Sequence, residues 1–152
     1  DIPEGVDSGN QLRLSGQGNA GGRGASRGNL IIVINVQPHQ IFRRNGTDIY
    51  MEAPISFSEA ALGTEVEIPT LKGKARLHIP SGTQSGTVFR MAGKGIKELE
   101  GSSHGDQFVK ATVKTPQKLS KKEKELLEKL SGEEKIAMER RGLFGKFRGM
   151  FG

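Results

Sequence analysis

IPEGVDSGNQLRLSGQG, residues 2 to 18, and IPSGTQSGTVFRMAGKG, residues 79 to 95, are one phrase written twice, 77 positions apart. Aligned without a gap they share eight identities, Ile2/Ile79, Pro3/Pro80, Gly5/Gly82, Ser8/Ser85, Gly9/Gly86, Arg13/Arg90, Gly16/Gly93 and Gly18/Gly95. Glycine matches come cheaply in a chain with 22 of them; the Ile-Pro, Ser and Arg matches do not. The offset continues through Gly24/Gly101, Ser26/Ser103, Gly28/Gly105 and Val36/Val113 into two apolar runs, LIIVINV (30 to 36) and QFVKATV (107 to 113). Such self-similarity fixes the architecture before any local reading: each copy is a turn, a strand, a loop and another strand. About forty strand-like residues precede the second copy and none precedes the first. The expectation is a fragment, in which residues 1 to 38 are the second half of a domain whose opening half is missing.

Outward from the repeat, LIIVINV is a short apolar run between Gly28 and Pro38, which reads as a buried strand. IFRRNGTDIYMEA (41 to 53) places two β-rich runs around Asn45-Gly46, a hairpin signal. SEAALG (58 to 63) offers a single helical turn with Ser58 as N-cap and a closing glycine. TEVEIPTL (64 to 71) and KARLHIP (74 to 80) alternate around Lys72-Gly73, predicting a second hairpin with Val66, Ile68, Leu77 and Ile79 inward. At Ser120 the period changes: SKKE is a capping box, Leu126, Leu127 and Leu130 form one helical stripe, and Ser131-Gly132 reads as the stop. The final residues carry Leu143, Phe144, Phe147 and Phe151 at helical spacing, interrupted by glycines that weaken an isolated helix. That stripe needs a surface: its own domain, a second protomer, or lipid drawn by the neighbouring cations.

Composition removes several classes of function. Cys is absent, which excludes disulfides and thiolate metal sites, and the three histidines, His39, His78 and His104, lack ligand spacing, so no cofactor is expected here. No run approaches the roughly 20 apolar residues of a membrane span. The net charge of +6 is dispersed and the chain has one Tyr and no Trp, so a solvated surface is read in preference to a nucleic-acid or membrane partner. GQGNAG (16 to 21) matches GxGxxG but leads into a strand instead of opening a helix, and so reads as a hairpin loop. Asn45-Gly46-Thr47 is explained by its turn, and His78 lies on the outward side of its strand. The carboxylates fall in loops or outward positions, and no nucleophile elbow is present. No enzyme is expected.

The doubled IPxGxxSGxxxRxxGxG, PISFSEAALGTEVEIPTLKG (54 to 73), GDQFVKATVKTP (105 to 116) and LSKKEKELLEKL (119 to 130) together resemble the C-terminal substrate-binding region of DnaJ-type co-chaperones. The resemblance covers residues 1 to about 130. It implies a mainly β fold with two repeated small sandwich- or barrel-like domains, the first truncated (1–38) and the second whole (39–116), then a helical dimerisation segment (117–152). It implies a cytoplasmic homodimer that binds unfolded polypeptide clients and, in the full-length protein, passes them to a DnaK-type ATPase through a J-domain. No His-Pro-Asp of a J-domain and no Cys-rich zinc module occurs in this chain. Any zinc would therefore belong to a module absent here. The family's client groove maps onto Ile32, with Leu30 and Ile34 beside it; read from the residues alone, the same three also fit a simple core. Dimerisation maps onto Leu126, Leu127 and Leu130 with Leu143, Phe144, Phe147 and Phe151. The alternatives are a dimerisation piece without client binding, or a basic β-protein on nucleic acid or a membrane surface.

Overall fold

The computed structural model describes residues 2–22 and 24–140, which form two compact units divided at Thr115. Among the described residues the first unit is built of strands β1 (Gln11–Leu14), β2 (Leu30–Val33), β3 (Arg43–Asn45), β4 (Asp48–Ser56), β5 (Thr64–Thr70), β6 (Gly73–Ile79), β7 (Val88–Met91) and β8 (Gln107–Lys114), with one short helix, α1 (Phe57–Leu62). Among the described residues the second unit holds one helix, α2 (Lys121–Arg140). The chain is mainly β with a C-terminal helix.

The written repeat is a repeat of backbone. β1 and β2 pair antiparallel with Gln11 opposite Val33, Leu12 opposite Ile32, Arg13 opposite Ile31 and Leu14 opposite Leu30. Shifted by 77 positions, the same register joins β7 to β8, Val88 opposite Lys110 through Met91 opposite Gln107. The connecting hydrogen bonds repeat as well. The Gly9 N–H donates to the Ile34 carbonyl (2.9 Å) as Gly86 does to Ala111 (2.7 Å), and Gly18 to Gly28 as Gly95 to Gly105 (both 2.8 Å). Ser8 Oγ accepts from the Val36 N–H (2.9 Å), and Ser85 Oγ from that of Val113 (3.1 Å). These bonds account for the Ser-Gly of the phrase: the hydroxyl takes a backbone donor that would otherwise go unpaired, and the glycine turns back at φ +89° in one copy and +94° in the other.

What differs is the surroundings. The second copy belongs to a mixed sheet of order β3-β4-β8-β7, in which β4 and β8 run parallel from Ile49 opposite Gln107 to Ser56 opposite Lys114. On its inner face Met51, Ala53, Ile55, Val109 and Ala111 meet Ala60 of α1 and Ile68, Leu77 and Ile79 of the β5–β6 hairpin, making a two-layer core. Burying these side chains stabilises the unit by about 1.5–3 kcal/mol for each of the larger ones. Gln107, wholly buried, donates from Nε2 to the Pro69 carbonyl (2.8 Å) and so links the two layers. The β3–β4 turn tucks beneath the second copy's loops: Thr47 accepts from the Ile96 N–H (2.7 Å), and a Cβ on Gly95 or Gly105 would collide with the Thr47 carbonyl. The β1–β2 ribbon stands alone as a two-stranded sheet. Arg44 of β3 ties the segment leading into β1 to the four-stranded sheet, donating to the carbonyls of Val6 (2.7 Å) and Gly5 (3.0 Å).

Four expectations need correction. LIIVINV does form a strand, but Leu30 to Val33 are exposed, because β1 is the one strand beside it among the described residues. The N-cap of α1 is Ser56, not Ser58: Ser56 and Glu59 form a reciprocal capping box that begins the helix two residues earlier. The β5–β6 turn is Leu71-Lys72, and Gly73 already belongs to β6. Helix α2 does not stop at Ser131-Gly132 but continues to Arg140. One glycine costs about 1 kcal/mol in a helix, and the Glu, Lys, Ala and Met residues that follow it are good helix formers. The SKKE box caps α2 as read: the Glu123 N–H donates to Ser120 Oγ (3.2 Å) and the Ser120 N–H to Glu123 Oε2 (2.7 Å). The Ser120 N–H foremost, then the Ser120 hydroxyl, holds the Glu123 carboxyl below its usual range.

Candidate functional site

Strand alternation sorts the first copy into two faces. Leu30 and Ile32 lie on one face with their cross-strand partners Leu14 and Leu12, and Ile34 extends that row through its bonds to Gly9 and Asn10. Arg13, Ile31, Gln11 and Val33 lie on the other. The structure thus brings Leu30, Ile32 and Ile34 together on a single apolar face. Ile32 is 37% exposed and Leu30 42%, while their counterparts Val109 and Gln107 are fully buried. Beyond β2 the far edge is open among the described residues, whereas the same edge of β8 is filled by β4. An apolar face beside a strand edge with free N–H and C=O groups is the geometry to which an extended polypeptide adds itself.

A second surface went unread in the sequence. On the outer face of the β3-β4-β8-β7 sheet, Tyr50 and Phe108 sit opposite each other in register and stack with ring centroids 5.0 Å apart. Ile41, Val88, Arg43, Glu52 and Lys110 complete a shallow groove around them. Each aromatic alone carries a signal, an outward position on an alternating strand where a polar residue is the usual choice, but their pairing across β4 and β8 carries none.

The charged groups nearby have structural roles. Arg90 Nε donates to Asp106 Oδ2 (2.6 Å), and the Gly93 N–H to Asp106 Oδ1 (2.8 Å). The Gly93 bond foremost, then that from Arg90, holds the Asp106 carboxyl below the ordinary carboxylate range. In the first copy the pair is Arg13 and Asn29, the amide oxygen turned to the guanidinium 2.9 Å from Nε. Without Cys, and with no gathering of three or more His, Asp or Glu able to hold a metal among the described residues, nothing fits the zinc that the resemblance attaches to another module.

In the second unit Leu126, Leu127 and Leu130 all lie exposed on α2, and Leu127 and Met138 share one side of it. Leu143, Phe144, Phe147 and Phe151 lie outside the described residues. None of the described helices is long and apolar enough to cross a membrane.

A family model of the DnaJ C terminal domain matches residues 1–116, and the chain belongs to that family. Among its relatives, a chaperone protein DnaJ of Clostridioides difficile is 53% identical over 133 residues, 88% of this chain and 35% of that protein. One from Halalkalibacterium halodurans is 56% identical over 126 residues, 83% of this chain and 34% of the relative. One from Halothermothrix orenii is 49% identical over 154 residues, 99% of this chain and 41% of the relative. The chain thus spans between 34% and 41% of the length of these curated relatives.

Proposed function

We propose that this chain is the C-terminal part of a cytoplasmic, non-enzymatic co-chaperone that holds extended, apolar segments of unfolded polypeptides. In the longer protein a J-domain hands them to a DnaK-type ATPase. The supporting observation is the exposed row of Leu12, Leu14, Leu30 and Ile32 beside the open edge of β2. Backbone bonds along the edge supply affinity for any sequence, and the aliphatic row supplies a loose preference for apolar side chains. Residues 1–38 and 39–116 serve as two related β-domains on this reading, and 117–152 as the segment that joins two chains. Pairing doubles the binding surfaces and raises avidity without new contacts.

Light scattering of an aggregating client protein tests the holding activity. The chain is expected to suppress scattering and Ile32→Asp to lose most of that suppression; undiminished suppression by the variant would remove the β1–β2 face from the account. Pairing is tested by sedimentation: the chain should run as a dimer and Leu127→Glu/Leu130→Glu as a monomer.

One observation favours a second reading. Val109 and Ala111, the counterparts of Ile32 and Ile34, are core residues, so the same face of the first copy also suits permanent cover by another segment of the longer protein. The chain would then act in dimerisation alone and leave scattering unchanged.

A further inference from the structure

The two copies differ in charge, and part of the difference falls on the face that the second copy keeps open to solvent. Residues 8–36 contain three Arg and no Asp or Glu, while the matching 85–113 contain four Lys and Arg against three Asp and Glu. In the second copy both outward cations near the strands are neutralised, Arg90 by Asp106 (2.6 Å) and Lys110 by Glu52 (3.6 Å). In the first copy Val33 stands where the second has Lys110, and Arg13 meets the uncharged amide of Asn29. Among the described residues no carboxylate is paired with Arg13, although it meets Asn29 through Nε as Arg90 meets Asp106. Around it lie Ile31, 58% exposed, directly across the ribbon, and Val33, 63% exposed, one step along it. This is the face whose counterpart, carrying Phe108, Arg90 and Val88, remains accessible in the complete second copy. It therefore stays available whatever covers the Leu30 and Ile32 side.

We propose that the Arg13, Ile31 and Val33 face selects extended polypeptide segments in which an acidic side chain alternates with aliphatic ones, the carboxylate bringing to Arg13 the negative charge that Asp106 brings to Arg90. This specifies a substrate class and rests on the reading of the chain as a polypeptide holder. The Arg is held in position by its own strand and by Asn29, so pairing asks little ordering of it. Ile31 and Val33 beside it offer apolar contact to the aliphatic side chains that flank the acidic one. A nucleic acid fits the face poorly, since the ribbon offers no aromatic side chain on which a base could stack.

The test is fluorescence anisotropy with two labelled peptides that alternate Leu with polar residues and differ only in a central Glu or Gln. The chain should bind the Glu peptide about threefold more tightly at low ionic strength, as an exposed charge pair allows. About half-molar salt should erase the difference. Asn29→Asp supplies an internal carboxylate of the kind the second copy already accommodates, so it should bring the two affinities to parity. Arg13→Gln should do the same, with circular dichroism reporting that each variant is folded. Equal binding of both peptides by the unsubstituted chain overturns the inference and leaves the holder reading standing; binding of neither overturns both. A preference that survives Asn29→Asp, or an oligothymidylate that binds more tightly than the Glu peptide and is released by Asn29→Asp, also overturns it.

Discussion

The first and second copies of the repeat share strand register and loop hydrogen bonds, yet Ile32 is open where Val109 is sealed. The phrase IPxGxxSGxxxRxxGxG therefore encodes a path of the backbone, and burial is conferred from outside it by β4, α1 and the β5–β6 hairpin. The most forceful way to break the comparison is to place a charge at the same point in both copies. Val109→Asp puts an unpaired carboxylate in the core and should cost more than about 4 kcal/mol, abolishing a cooperative urea transition followed by circular dichroism. Ile32→Asp should shift that transition by less than about 1 kcal/mol. Similar losses in both would mean that the first copy is covered in solution.

Glycines offer a gentler contrast. Gly105→Ala forces a methyl group into the Thr47 carbonyl and should cost about 2 kcal/mol, whereas Gly28→Ala meets only the Asn19 carbonyl at 3.8 Å and should stay within about 0.5 kcal/mol. The smallest effect sharpens the comparison at Asp106. Because its folded carboxyl titrates below the ordinary value near 3.9, its contribution is complete above that value and fades as pH falls through the folded one. Asp106→Asn, which copies the arrangement at Asn29, should lower the melting temperature at pH 7, and the gap from the unsubstituted chain should close as pH drops below about 4. A gap independent of pH would assign the loss to geometry instead of charge.

The sequence made local structure legible where a residue has a local job. The SKKE cap and the alternation of Val66, Ile68, Leu77 and Ile79 could be read because each depends on neighbours within a turn or one hairpin. The parallel pairing of β4 with β8 could not, since its partners lie 58 positions apart and no short-range pattern distinguishes a parallel from an antiparallel neighbour. The burial expected for Leu30 to Val33 failed for a related reason: an apolar run specifies a strand, but what covers it is decided by distant chain. Of the candidate site, Leu30, Ile32 and Ile34 were found by motif and share one face. Tyr50 and Phe108 were missed because their partnership exists only once β4 and β8 lie side by side.

That late-paired strand governs how the protein is made. β8 is the last strand of its sheet in chain order, yet it sits between β4 and β7. During synthesis β4 therefore emerges with its apolar residues exposed and must wait for nearly sixty further residues before its central neighbour arrives. Long-range closure of this kind is slow and leaves sticky surface uncovered meanwhile. A nascent chain of this family is thus, for that interval, itself an aggregation-prone polypeptide in need of shelter.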